Sequence, residues 1–113
     1  MAAEHPWHWR VDVGADRRVL TLTGEIDISG ADRLDELLHE TIDQAGMVMV
    51  DVAGLTFIDS TVLSILIGAH HHAADRGVDL ALVNAAGQVR RVLDMTGIMK
   101  LFGRAADLPS TAI

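Results

Sequence analysis

The sequence predicts an α/β domain built on a small mixed β-sheet. Two apolar runs separated by a short polar turn suggest an opening hairpin, and strand-like and helix-like periods then alternate to the end of the chain. A length of 113 residues, 50% of them apolar, supplies one hydrophobic core and not two.

Trp7 to Val13 sets Trp7, Trp9, Val11 and Val13 against His8, Arg10 and Asp12, the alternation of a half-buried strand. Trp7 and Trp9 share one face, which reads as core or edge cover. Gly14-Ala15-Asp16-Arg17 reads as a turn, and Arg18 to Thr23, with Val19, Leu20 and Leu22, pairs back as a hairpin. Gly24-Glu25-Ile26-Asp27 leads into a helix. Ser29, followed three positions later by Asp32, resembles a capping box. Ala31, Leu34, Leu38, Ile42 and Ala45 then recur on one helical face, and Gly46 is the expected stop.

Met47 to Val52 is a nearly continuous apolar run, which suits a strand covered on both faces. Leu55 to Asp59 carries the chain to a helix that starts at Ser60 and ends near Arg76-Gly77. Val78 to Val83 gives a further strand. Asn84 to Gly87 then turns into a helix that faces Val89, Val92 and Leu93 inward and stops at Thr96-Gly97. Ile98 to Phe102 is a short apolar element, and Leu108 to Thr111 looks frayed. No repeat, low-complexity tract or linker interrupts this pattern, so one domain is expected over residues 1–113. Its core covers about 7–104, with a C-terminal tail over 105–113.

Composition removes several function classes. Nine Lys and Arg stand against 16 Asp and Glu, a net charge of -7, the wrong sign for gripping a phosphate backbone, so no direct nucleic-acid partner is expected. The absence of cysteine rules out a disulfide framework, a thiol nucleophile and a cysteine zinc site. The N-terminus lacks a basic stretch followed by an apolar region, so it does not read as a secretory signal. The longest uncharged stretch, Ser60 to Ala74, is 15 residues and holds three histidines, short and polar for a membrane span. A soluble cytoplasmic domain is the expectation.

The segment that carries chemistry is Phe57-Ile58-Asp59-Ser60-Thr61-Val62. Two hydroxyls stand at a helix start, directly after a carboxylate. Their plainest role is an N-cap that satisfies orphan backbone N–H groups for roughly 1 kcal/mol. A second role is a modifiable switch. The following helix is apolar nearly all round, with Leu63, Leu66, Ile67 and His70 in one stripe and Val62, Ile65 and Ala69 in another, and the second stripe reads as a docking surface. A phosphate on Ser60 would be tolerated at a helix N-terminus, yet would add about -1.5 to -2 charge beside Asp59.

Rival chemistries lack their parts. A nucleophilic Ser60 would sit in G-x-S-x-G, whereas the context here is Ile58-Asp59-Ser60-Thr61-Val62, so no enzyme activity is expected. His70-His71-His72 points in three directions on a helix and does not make one metal site; His71 and Asp75, four apart, are two ligands only. No glycine-rich nucleotide cradle occurs, so no cofactor is expected and any ATP used on Ser60 comes bound to a partner. A phospho-aspartate receiver needs a strand-end lysine, and the one lysine is Lys100, near the C-terminal end.

Three blocks resemble the anti-sigma factor antagonists, the bacterial STAS-domain family: Leu20-Thr21-Leu22-Thr23-Gly24-Glu25-Ile26-Asp27, Val50 through Asp59-Ser60-Thr61, and Val83-Asn84 through Val89-Arg90-Arg91-Val92-Leu93-Asp94-Met95-Thr96-Gly97-Ile98. The middle block is the most specific, and the resemblance spans roughly Val11 to Arg104. It implies a small mixed sheet flanked by helices on one side. It also implies partner switching, in which the protein binds an anti-sigma factor, often itself a serine kinase, and so frees a sigma factor for transcription. Phosphorylation releases the antagonist, and a phosphatase resets it. Matched by position, the phosphoacceptor falls on Ser60, with Thr61 as a minor alternative, and Asp27 falls where the family places an acid near that serine. The implied partner surface is Asp27, Asp59, Ser60, Thr61, Val62, Ile65 and Ala69, on a monomer or weak dimer. Within the family, the other role such a domain fills is as an interaction module of a stress-signalling or transport complex. One departure stands out: the family has glycine two positions after the acceptor, and here Val62 is expected to enlarge the apolar surface and alter the approach of a kinase.

Overall fold

Alternation builds the first two strands. In the computed structural model, which describes residues 7–102, β1 (Trp7–Val13) pairs antiparallel with β2 (Arg17–Glu25) across the turn at Gly14, whose N–H donates to the Arg17 carbonyl. Trp9 stands opposite Leu22 and Val11 opposite Leu20, so the apolar faces of the two strands coincide. A 3-10 turn (Ile28–Gly30) leads into α1 (Ala31–Ile42). Next come β3 (Met47–Phe57), α2 (Ser60–Arg76), β4 (Asp79–Val83), α3 (Gly87–Thr96) and the single-turn α4 (Ile98–Leu101). The sheet order is β1-β2-β3-β4, with β3 parallel to both β2 and β4, which is the expected mixed sheet after an opening hairpin.

The β2-α1-β3 and β3-α2-β4 crossovers step across the sheet in the same direction, so right-handed connections place α1 and α2 on the same face. The two helices touch along a seam. His39 and His72 rings lie 4.2 Å apart, and the Asp43 carboxylate accepts from His72 Nε2 at 2.8 Å and from Arg76. Beneath them Leu34, Leu38 and Ile42 of α1 and Leu66 and Ala69 of α2 share one buried cluster with Leu20, Leu22, Val48, Val50 and Leu82 of the sheet. At about 25 cal/mol per Å² of apolar area, this shared burial is the main force holding the layers together.

Several expectations move. Helix α1 ends at Ile42 rather than near Gly46, and Ala45 lies in the following loop, where Asp16 binds the Gly46 N–H through both its carboxylate and its carbonyl. The Ser29–Asp32 capping box does not form, because Ser29 lies within the 3-10 turn and its hydroxyl donates to Asp27. Strand β3 runs five residues beyond Val52, to Phe57. The expected tail at 105–113, the frayed Leu108–Thr111 segment and the last two residues of the expected core lie outside the described residues.

Candidate functional site

Because β2, β3 and β4 run parallel, the segments that leave their C-terminal ends gather at one end of the sheet. In open α/β sheets this is the end where ligands and partners are met.

The first segment leaves β2 at Glu25. Ile26 turns into the core, and Asp27, in extended conformation (φ -109°, ψ -173°), caps the 3-10 turn. Its Oδ1 accepts from the Ser29 N–H at 3.0 Å and the Ser29 hydroxyl at 2.6 Å, while its carbonyl accepts from the Gly30 N–H at 3.0 Å. The Ser29 hydroxyl, more than any other cause, holds the Asp27 carboxyl below its ordinary pKa. Gly30 is buried beside Trp7, and a Cβ there would run into the indole nitrogen. Glycine is therefore required by close approach.

The second segment is shaped by two irregularities in β3. Thr21 pairs with Asp51 and Thr23 with Gly54, so three steps on β3 oppose two on β2, and a second slip separates the Gly24–Leu55 and Glu25–Phe57 pairs. The Asp51 carboxylate accepts from the Ala53 N–H at 3.0 Å within the first bulge, and Gly54 leaves room for the Thr23 methyl group. These slips carry β3 up to Phe57, put Ile58 in the core and leave Asp59 half-buried at the mouth of α2.

Asp59, again extended (φ -123°, ψ -174°), is the N-cap of α2. Its Oδ1 accepts from the Val62 N–H at 3.1 Å, and its carbonyl accepts from the Leu63 N–H at 3.0 Å. The cap is a carboxylate and not a hydroxyl. Ser60 occupies the first helical position, exposed, and its hydroxyl makes no hydrogen bond among the described residues. Thr61 beside it is half-buried. The positive end of α2 and its unpaired N–H groups face the same place.

The apolar stripe assigned to the outside of α2 is largely inside. Val62 is 1% exposed and Ala69 0%; with Leu66 and Ala73 they form the buried face, spaced by four, three and four residues. Ile65 is half-buried and packs against the core. The outward arc carries Ser60, Ser64, His71 and Asp75 instead. This face packs into the cluster shared with α1 and the sheet. Val62 therefore adds no apolar surface beside Ser60. The structure brings Asp27, Asp59, Ser60 and Thr61 to the same end and takes Val62 and Ala69 out of the surface.

Two exposed apolar side chains at this end escaped the sequence reading. Ile28 is 76% exposed on the 3-10 turn and Phe57 40% exposed at the end of β3. Their one signal was position, since each is a large apolar residue adjoining a capping segment. The three histidines go to separate places: His70 packs edge-on to Phe102 at 5.5 Å, His71 faces outward and His72 joins Asp43. No group of three metal-ligating side chains occurs among the described residues, and no helix there is long and apolar enough to cross a membrane.

With this geometry in view, the model of the STAS domain family matches residues 8–110, and the chain belongs to that family. An anti-sigma F factor antagonist of Paenibacillus polymyxa is 27% identical over 85 residues, covering 74% of this chain and 73% of its own. The crystal structure of an anti-sigma factor antagonist from Mycobacterium paratuberculosis has the same fold, with a TM-score of 0.77 and 24% identity over 90% of this chain and 87% of that one. The Bacillus cell fate determinant SpoIIAA in its phosphorylated form shares the fold at a TM-score of 0.67 and 16% identity, covering 83% of this chain and 87% of that one.

Proposed function

We propose that this chain is an anti-sigma factor antagonist that docks its partner through the Asp27 and Ser60 segments and is released when Ser60 is phosphorylated. One observation carries the reading. A serine hydroxyl stands exposed and free at the first position of α2, because Asp59 has taken over the capping role that would otherwise occupy it. The roles named for the similar antagonists support it. So does the phosphorylated state in which one of the fold relatives was solved.

The chemistry follows from the place. The anti-sigma factor, acting as a kinase, brings ATP. Ser60 Oγ bonds to the γ-phosphorus as its proton passes to a base of the kinase, and the bond from that phosphorus to the bridging oxygen breaks with its electron pair leaving on ADP. The product adds about -1.5 to -2 charge next to Asp59, at an end of the molecule that already carries Glu25 and Asp27. A partner surface complementary to the unmodified end then meets repulsion and desolvation cost, so the complex opens while the fold persists. Hydrolysis by a phosphatase restores the free hydroxyl. The buried Val62 side chain leaves the approach to Ser60 clear of a β-branched obstruction.

The test is intact-mass and phosphopeptide analysis after incubation with ATP and a cytosolic extract of the source cell. A single adduct of about 80 Da on Ser60 is expected, absent in Ser60→Ala. Ser60→Ala should bind the anti-sigma factor and resist release, whereas Ser60→Asp should bind it at least roughly tenfold more weakly. Equal affinity of the two variants would sink the switch.

A further inference from the structure

The turn that carries Asp27 also holds out an aliphatic side chain that packs against no part of the core among the described residues. Ile28 lies between Ile26, which is fully buried, and Gly30, which is buried against Trp7. The turn around it is held on both sides. Asp27 grips the N–H and hydroxyl of Ser29, and Gly30 has no clearance from the indole. A single exposed apolar residue on a mobile loop is ordinary. One carried on a hydrogen-bonded turn, at the same end as the Ser60 segment, is different, since part of its ordering cost is met before any partner arrives.

The surroundings define what it would meet. Phe57, pairing with Glu25 in the β2–β3 register, adds a second apolar side chain at the same end. The three segments at that end, residues 25–30, 57–61 and 84–88, contain Glu25, Asp27 and Asp59 and no lysine or arginine. Two exposed apolar side chains thus share this end with three carboxylates, while Arg33 and His8 lie behind the turn in a groove with Ser29 and Gly30; the front is complementary to an apolar recess bordered by basic groups or N–H donors.

We propose that Ile28 is the apolar anchor with which this chain engages its anti-sigma factor, entering a recess of that kind on the partner. The proposal rests on the docking function given above and adds the side chain that carries much of its affinity.

The experiment measures affinity for the purified anti-sigma factor by calorimetry, with the full chain and four variants. Ile28→Ser should weaken binding roughly tenfold to a hundredfold, the scale of losing one buried aliphatic side chain, with an unchanged melting temperature. Ile28→Leu should restore most of it. Met95→Ser, which removes an apolar side chain that is 79% exposed on α3, should bind as the parent does. Wild-type affinity in Ile28→Ser, or equal losses in Ile28→Ser and Met95→Ser, would overturn the anchor. Ser60→Asp distinguishes the two failures. If it still weakens binding while Ile28→Ser does not, the anchor alone fails; if the parent chain binds no anti-sigma factor, the docking function fails and the anchor with it.

Discussion

The molecule uses the same pair of residue types, an aspartate and a serine, at the ends of two neighbouring parallel strands, and gets opposite results. At the end of β2 the order is Asp27-Ile28-Ser29, and a spacing of two lets one carboxylate oxygen take both the N–H and the hydroxyl of the serine. At the end of β3 the order is Asp59-Ser60, and the carboxylate reaches past its neighbour to the N–H of Val62. Both aspartates are extended caps with nearly equal dihedrals. The element that follows each aspartate decides the outcome: the 3-10 turn brings Ser29 onto its carboxylate, whereas at the start of α2 the carboxylate takes the Val62 N–H and leaves the hydroxyls of Ser60 and Thr61 to other uses. The first turn becomes a fixed support, and the second a helix start that presents a reactive group.

That contrast can be broken most strongly at Val62. Replacing it with the glycine that the family usually carries removes a side chain that is 1% exposed and places glycine in the first turn of α2. Val62→Gly should cost about 2–4 kcal/mol and lower Tm by more than about 8 °C in differential scanning calorimetry. An unchanged Tm would show that the valine does not belong to the core. A smaller effect is expected at the cap itself. Asp59→Ala should cost about 1 kcal/mol, or about 4–8 °C in Tm, whereas Asp59→Asn should retain nearly all of the stability because its side-chain oxygen also accepts from the Val62 N–H.

The smallest effect sharpens the other half of the contrast. Asp27 should titrate below 3.8 in the folded chain, and Ser29→Ala should move its midpoint back up, as followed by carboxyl NMR. The sign for stability follows: a depressed folded-state pKa stabilises the fold above the unfolded value of 3.8 and loses that contribution as pH falls through the folded midpoint. A midpoint unaffected by Ser29→Ala would mean that the hydroxyl is not what holds the carboxylate.

The sequence made the sheet legible where apolar and polar residues alternate without interruption, as in β1, or run continuously, as at the start of β3. It lost the end of β3, because the slips at Asp51–Gly54 and Leu55–Phe57 break the period of two that a strand is recognised by. Asp27, Asp59 and Ser60 were legible through local order alone, since capping acts within a few residues. The buried face of α2 was not. A helix apolar on nearly every side gives no contrast to read, and the choice between Val62–Ala69 and Leu63–Ile67 is made by tertiary packing on α1 and the sheet, which local order does not encode. Ile28 was missed for a related reason: its exposure depends on how the turn sits against the sheet, where Gly30 meets Trp7, more than twenty positions away.

The Trp7–Gly30 contact has one further consequence. The chain has two tryptophans and no tyrosine, and both indoles line a single groove with His8, Ser29, Gly30 and Arg33, the Arg33 guanidinium lying 5.3 Å from the Trp9 ring centroid. Nearly all of the protein's ultraviolet emission thus originates against the back of the turn that carries Asp27 and Ile28. The molecule contains its own optical gauge of that turn, and a change in emission maximum or quenching would register a partner's arrival there without any added label.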